Sequence, residues 1–288
     1  MAQKKSADMS AADMTIEQQV YDDEPGLLSA FFAAFGEPVV YVTRTMKELN
    51  SLFFITLKYV IAGKRRPAEV IAQMHEIGNR SVVFIAVTLG FLGMILIYQA
   101  GFQAMKITGD LTLLGALFLQ LLMREFGPTI TALMIATRVG TGMAAEIGSM
   151  VVTDQVDAMK MCAAEPIEYL VVPRFIASTI MVVILTILAV LISYLVGSLT
   201  AYTAFDVNFR TYFDLSFISA FDVGIGLTKA LAYGMTIPII ACHAGLNVFG
   251  GSEGVGRATT QSVVNASLAV VVIDFIISGL GYVLLALL

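Results

Sequence analysis

The sequence predicts an all-α integral membrane protein with five transmembrane helices, preceded by an N-terminal interfacial helix. Hydrophobic residues make up 58% of the 288 residues and charged residues only 14%, whereas soluble domains average roughly 25% charged residues. A soluble fold cannot cover this much apolar surface, so a lipid bilayer must supply part of its surroundings. The apolar residues also fall into long runs separated by short charged segments, as expected for a chain that crosses a bilayer repeatedly.

The first 24 residues are predicted to be a polar, disordered tail. They lack the apolar segment of a cleavable signal peptide, and their low hydrophobicity and high charge do not favour a packed fold. The tail carries much of the acidity behind the net charge of −5. Its acidic residues are Asp8, Asp13, Glu17, Asp22, Asp23 and Glu24.

Residues 25–80 are assigned to interfacial and amphipathic helices. The run 49–63 contains Lys58 and has basic residues on both sides, a pattern typical of a helix that lies in the membrane interface. Pro67 suits the first turn of a second short helix, because its missing N–H would be unpaired there in any case. We expect this second helix to end near Gly78.

Residues 81–288 form the predicted five-span transmembrane domain. A helix needs roughly 20 mostly apolar residues to cross a bilayer, and five runs meet this requirement. Spans two and three exceed the minimum and can tilt or extend past the bilayer. The predicted spans are 82–102, 111–145, 175–205, 230–252 and 258–288.

The loop charges predict the orientation of the chain. With the N-terminus in the cytoplasm, seven basic residues fall on the cytoplasmic side and two, Lys106 and Arg210, on the opposite side. Cytoplasmic loops carry an excess of Lys and Arg, so we expect a cytoplasmic N-terminus and a C-terminus outside. The seven residues are Lys64, Arg65, Arg66, Arg80, Lys160, Arg174 and Arg257.

The connection between spans two and three, residues 151–168, is predicted to contain a short cytoplasmic helix. Thr153 could cap a helix that begins at Asp154, with Asp157 near its positive dipole end. Pro166 would stop the helix. Taken on its own, this segment is either a docking surface for a partner or a solvated connector.

Motif searches indicate no catalytic, metal or cofactor site in the chain. The GxSxG pattern at 250–254 follows an apolar span rather than a strand, and no His follows His243, so it does not match a hydrolase elbow. A phosphate-binding loop and an HExxH motif are both absent from the sequence. Cys162 and Cys242 form no CxxC pair. No stripe of Lys and Arg provides a footprint for nucleic acid.

Ionisable residues inside the spans are the most informative feature. A charge in the bilayer is expensive and must face the protein interior, water or a partner charge. Two interpretations stay open: a polar lining along a substrate path, or ion pairs that fix the packing of the helices. The residues are Arg124, Glu125, Arg138, Lys229 and Asp274.

Pro128 favours the first interpretation. It removes the helix hydrogen bond to the carbonyl of Arg124 and should kink the span there. Arg124 and Glu125 are adjacent, so on a straight helix they point about 100° apart and cannot share one narrow face. Lys229 and Asp274 supply partners of both signs on other spans.

Several segments resemble the MlaE permease family, the membrane subunits of ABC transporters that work with MCE proteins. The strongest likeness is in 124–175, which begins REFGPTITALMIATRVG. HEIGNRS at 75–81 matches the stretch before the first span. GSEGVGRATT at 251–260 and LAVVVIDF at 268–275 match the last loop and span. Together these segments extend the resemblance over residues 67–288.

The resemblance implies a homodimer of permeases with no catalytic chemistry of its own. A pair of cytoplasmic ABC ATPases would bind ATP and Mg²⁺, a STAS-domain subunit often accompanies them, and a hexameric MCE protein would sit on the periplasmic face. The implied location is the inner membrane of a Gram-negative bacterium. The implied cargo is phospholipid exchanged with the outer membrane, whose lipid asymmetry depends on that exchange.

The resemblance also makes the connector between spans two and three a coupling helix that docks the ATPase. The residues that match the family's docking segment are Asp154, Gln155, Asp157, Ala158 and Met159. Many members have Glu where this chain has Asp154, a change that should preserve docking.

Two other classes of function stay open at the level of sequence. An ion-coupled secondary transporter would use the same intramembrane acids but needs no ATPase, so co-purification of an ATPase distinguishes the two. A scaffold that only anchors a periplasmic complex would tolerate loss of Glu125, whereas a transporter would not.

Overall fold

The computed structural model describes residues 27–63, 66–107, 109–214 and 218–287. The chain divides into two units, residues 1–51 and 52–288. The described residues of the first unit all belong to helix α1 (Leu27–Ala62), which continues into the second unit. The predicted polar tail, 1–24, lies outside the described residues.

Five helices of the second unit are long and apolar enough to cross a membrane, which confirms the predicted number of spans for the described part of the chain. All regular elements in these ranges are helices, as the all-α class requires. Short helices connect span two to span three, α4 (Gln155–Met161), and span three to span four, α6 (Phe209–Tyr212). The spans are α2 (Pro67–Ile107), α3 (Leu114–Val152), α5 (Ile167–Phe205), α7 (Ala220–Leu246) and α8 (Gly251–Leu287).

Span one corrects the prediction for its N-terminal half. The helix begins at Pro67, but it does not end near Gly78 and instead continues without a break to Ile107. A single glycine costs a helix only about 1 kcal/mol. Here Gly78 is buried, and a Cβ at this position would contact the end of the Met181 side chain on span three. The domain boundary placed at residue 80 therefore falls inside one helix, and the interfacial position of run 49–63 stays a prediction.

Spans three, four and five begin earlier than predicted. The prediction began each of these spans directly after a charged residue. The helices instead include those residues and hold their charges in ion pairs. Arg174 lies 2.8 Å from Glu146 of span two, and Arg257 pairs with Glu253 one turn away. Lys229, which belongs to span four, is fully buried within the bundle. The observed first residues of these spans are Ile167, Ala220 and Gly251.

Span four is the most enclosed helix of the bundle. In its most apolar window, 67% of the residues are buried, against 11% for span five. Span four packs against spans two, three and five, while span one packs along span three. That second contact is close because Gly93 has no side chain: a Cβ there would lie 2.7 Å from the carbonyl oxygen of Ser193. Because so little of its apolar window is buried, span five presents most of its apolar surface outward.

Helix α6 is held against the bundle by two tyrosines. The Tyr194 hydroxyl of span three donates to the backbone carbonyl of Tyr212 at 2.7 Å, and the two rings stack with centroids 4.9 Å apart. Tyr212 is buried rather than placed at the surface as an interfacial anchor. Burial, and to a smaller extent the neighbouring Tyr194, raises the pKa of its phenol.

Candidate functional site

Lys229 on span four forms the centre of a buried ionic network. Its side chain is fully enclosed. The Nζ atom lies 2.6 Å from Glu125 Oε2 on span two and 2.8 Å from Asp274 Oδ1 on span five. The structure thus brings three of the five predicted intramembrane residues into direct contact. A single ammonium group connects three spans.

Neutral side chains complete the hydrogen bonding of the two carboxylates. Ser278 Oγ donates to Glu125 Oε1 at 3.2 Å. Asp274 Oδ1 accepts from the Tyr233 hydroxyl at 2.6 Å and from Thr129 Oγ1 at 3.0 Å. Buried polar networks are stable only when their members are satisfied. Ser278 reaches the Glu125 oxygen that Lys229 does not contact, whereas Tyr233 and Thr129 share Asp274 Oδ1 with Lys229.

Arg124 contacts a different carboxylate. Its Nη1 lies 3.5 Å from Asp222 Oδ1 on span four, and its guanidinium lies 4.7 Å from the centre of the Tyr282 ring on span five. Asp222 is almost fully buried. The adjacent residues Arg124 and Glu125 therefore have different partners, and both partners are on span four.

Sequence reasoning missed Asp222 because it was assigned to the loop before span four. The structure places it in the first turn of that span, where it forms a capping box with Ser219: each side chain accepts from the other residue's backbone N–H. The signal was available, since Ser followed three residues later by an acid and then an apolar run marks a helix start. The chain therefore contributes three carboxylates and two cations at this level.

Local backbone geometry sets the directions of Arg124 and Glu125. Both lie in a π-helical segment, Leu122–Phe126, that ends two residues before Pro128. A π-helical turn contains one more residue than an α-helical turn, and such segments are frequent at functional sites. Pro128 lacks the N–H that would bond to the Arg124 carbonyl. The π-helical segment therefore lies at the position where the sequence predicts a lost helix hydrogen bond. A bend of the helix axis stays a prediction.

Arg138 is not part of this network. It lies 13 residues after Glu125 in span two, which is roughly 20 Å along a helix axis. Its side chain is exposed and belongs to a second π-helical segment, Ala136–Gly140. The structure therefore divides the predicted intramembrane residues into a network and a separate arginine in the other half of the span.

Helix α4 is short and largely exposed. Of its seven residues only Val156 is buried, and Asp157 forms an exposed 2.8 Å ion pair with Lys160. The residues of the predicted docking segment lie on this helix or directly before it. Asp154, Gln155, Asp157 and Ala158 are exposed, and Met159 is partly buried.

The ends of α4 correct the prediction. Thr153 does not cap it: the Thr153 hydroxyl donates back to the Ser149 carbonyl in span two, and Asp154 adopts a left-handed conformation with φ 57°. The helix ends at Met161, five residues before Pro166, so the proline does not stop it. Ala163, two residues after the helix end, adopts a left-handed conformation. Pro166 instead precedes the first turn of span three.

Within the described ranges, no group of three or more His, Cys, Asp or Glu side chains is arranged to hold a metal ion. The site is an arrangement of charges and hydrogen bonds that can bind, orient or release a polar group.

Comparison with known proteins identifies the family of this bundle. The sequence model of the permease MlaE family matches residues 70–280, which contain spans two to four and most of spans one and five. The chain belongs to the MlaE permease family. It is an ABC transporter permease and hence a transport subunit.

Two relatives cover nearly the whole family region. A probable ABC transporter permease protein of Synechocystis is 36% identical over 241 residues, which are 82% of this chain and 91% of the relative. The intermembrane phospholipid transport system permease protein MlaE of Haemophilus influenzae is 31% identical over 255 residues, 88% of this chain and 97% of the relative. The chloroplast protein TRIGALACTOSYLDIACYLGLYCEROL 1 of Arabidopsis thaliana is 28% identical over 222 residues, covering 76% and 63%.

The first prediction concerns the stability of the network. Replacing Lys229 with Met leaves Glu125 and Asp274 without their cation, and removal of one partner from a buried pair costs about 3 kcal/mol or more. We expect a lower melting temperature and less folded protein in detergent. The triple variant Lys229→Met, Glu125→Gln, Asp274→Asn should recover most of the loss. Equal melting temperatures for wild type and Lys229→Met would contradict the assigned contacts.

Proposed function

We propose that this permease moves phospholipid between the bacterial inner membrane and a periplasmic MCE protein, driven by ATP hydrolysis in a separate ATPase. The observation that carries the proposal is the Lys229 network, which places charged groups in the centre of a membrane bundle. A relative of this chain in Haemophilus influenzae is named as a phospholipid transport permease. The network supplies polar groups that a lipid headgroup requires, in a bundle whose outer surface is apolar.

An apolar cavity beside the network suits the acyl chains. Spans four and five line an open cavity of about 640 Å³, a volume typical of ligand sites. Its lining residues Thr228 and Ile277 adjoin Lys229 and Ser278 in the chain, so the cavity lies at the depth of the network. In this proposal the headgroup contacts the charged residues while the acyl chains occupy the cavity.

The outward face of span five supports the proposal of a homodimer. Only 11% of its most apolar window is buried within one chain. A second copy packed against this face would enclose the cavity between two permeases. The exposed apolar residues of this span include Leu268, Val271, Val272, Phe275 and Ile276.

Helix α4 is the proposed contact for the ATPase pair, which would bind ATP and Mg²⁺. Its exposed surface leaves it available to a partner. Span two runs from α4 to Arg124 and Glu125 without leaving the helical path, so a displacement of α4 can reach the network. The hexameric MCE protein would bind at the opposite end of the bundle, near α6, and a STAS-domain subunit would bind the ATPase.

The second prediction tests whether the network serves transport. We expect Glu125→Gln, Lys229→Met and Asp274→Asn to abolish lipid transfer per assembled complex, because each breaks the ionic network that presents the partly exposed carboxylates of Glu125 and Asp274 to the headgroup. The measurement is transfer of labelled phospholipid from proteoliposomes to the MCE protein, divided by the amount of intact complex. Unchanged transfer per complex in all three variants would leave the network a purely structural feature and reject this site.

The third prediction concerns ATPase docking. The Asp157→Arg variant reverses an exposed charge on α4 and should weaken ATPase association roughly tenfold or more. The matched control is Lys160→Met, which breaks the same intrahelical ion pair, worth only about 0.2–0.5 kcal/mol, without reversing the charge at Asp157. Association is measured by co-purification and by ATPase titration. Full ATPase recovery with Asp157→Arg, or equal loss with both variants, would contradict the assignment.

The fourth prediction concerns orientation, for which Cys162 is a native probe. It is exposed beside α4, whereas Cys242 is buried. With α4 in the cytoplasm, a membrane-impermeant thiol reagent should not label Cys162 in spheroplasts until the membrane is permeabilised. An Arg210→Cys substitution in a Cys162→Ser background should be labelled directly. The reverse pattern would invert the proposed topology.

A further inference from the structure

A polar cavity, separate from the apolar cavity of spans four and five, lies between spans one and two, in the half of the bundle that contains α4. Its volume is about 430 Å³. Span one contributes Glu76, Arg80 and Ser81 to its lining, and span two contributes Arg138 and Glu146. This cavity is distinct from the Lys229 network, since Arg138 is roughly 20 Å from Glu125 along the helix.

The charges that line the cavity do not cancel. Arg80 Nη1 lies 2.8 Å from Glu76 Oε1. Glu146 Oε2 lies 2.8 Å from Nη2 of Arg174 on span three, which neutralises its charge. Both carboxylates are therefore paired, while the Arg138 guanidinium makes no ion pair or hydrogen bond with the described residues. The cavity keeps one uncompensated guanidinium group. The exposed Arg80–Glu76 pair contributes little stability, so Arg80 can turn toward a stronger anion.

Ser81 adds a polar residue to the wall of the cavity. The residue is only 2% exposed, and its hydroxyl is buried without a hydrogen-bond partner in the described part of the chain. Buried polar side chains usually have a partner. This one lies on the wall that faces Arg138, next to Arg80 in sequence.

The position of the cavity along span one indicates its depth in the membrane. Arg80 is the last charged residue before an uncharged stretch, 81–105. The cavity therefore lies where the polar part of the helix meets the part that matches the hydrocarbon core. Phosphate groups of membrane lipids occupy this level.

We infer that this cavity binds the phosphate group of an anionic membrane lipid, with Arg138 as its counter-charge. A guanidinium group donates two parallel hydrogen bonds to phosphate oxygens. Arg80 supplies further donors on the opposite wall. The site would hold a lipid of the surrounding bilayer at the edge of spans one and two. It does not depend on which lipid the permease transports.

The test uses the absence of tryptophan from the sequence. Gly142 lines the cavity, and a Cβ there would meet no atom within 4 Å, so Gly142→Trp places a single fluorophore at the site. In vesicles with brominated tracer lipid, we expect brominated phosphatidylglycerol to quench this tryptophan about threefold more effectively than brominated phosphatidylcholine. Arg138→Gln should remove the preference and Arg138→Lys should retain part of it. The control Arg210→Gln, at the opposite end of the bundle, should not change it.

Inorganic phosphate distinguishes the two sources of a phosphate group. An Arg138-dependent fluorescence response to phosphate alone, without lipid preference, would assign the site to free phosphate. Lipid preference that phosphate does not displace would assign it to lipid. As a second measurement, the tryptophan-free protein is purified from a defined mixture of both lipids, and the anionic lipid retained per chain should fall with Arg138→Gln. Equal quenching and equal retention in wild type and Arg138→Gln, with no response to phosphate, would overturn the inference.

Discussion

The enclosure of the Lys229 ammonium between two carboxylates is the constraint on which the arrangement of the spans depends. A charge at this depth needs partners, and the partners are on spans two and five, so span four must lie between them. Asp274 also fixes the register of span five, because a slip of one helical turn would move its carboxylate by about 5.4 Å and break the contact with Lys229. The burial of two thirds of the apolar window of span four and the outward exposure of span five both follow from this placement.

The composition of the chain and its uncharged runs predicted the class of the fold and the number of spans. The same reasoning placed the starts of spans three, four and five too late, because it took Arg174, Lys229 and Arg257 as marks of the membrane surface. Lys229, Arg174 and Asp222 are charged residues inside helices, and only their tertiary partners explain why a helix can contain them. Sequence also grouped Arg138 with Glu125 as intramembrane polar residues, although a spacing of 13 residues in one helix already separates the two by roughly 20 Å. The local rules failed at Thr153, where the hydroxyl bonds back into the preceding helix instead of capping the next.

Span two carries three of its charged residues on two irregular segments. Leu122–Phe126 contains Arg124 and Glu125, and Ala136–Gly140 contains Arg138. In both cases a π-helical turn changes the direction of the side chains without ending the helix. This lets one continuous helix serve two polar environments: a closed one among spans four and five, and an open one beside span one. The intervening turns stay regular and apolar, and they separate the two charged regions.

The sequence distance between the partners of the network has a consequence for biosynthesis. Lys229 follows Glu125 by 104 residues, and Ser278 follows it by 153. At a translation rate of 5–20 residues per second, about 5–20 s pass between synthesis of Glu125 and synthesis of Lys229. During this interval span two must leave the insertion machinery, or wait within it, with Glu125 still lacking its cation. Arg124 and Asp222 are separated by nearly the same length of chain. Membrane integration of this protein is therefore completed from its C-terminal half, since the final position of an early helix is set by helices that the ribosome has not yet made.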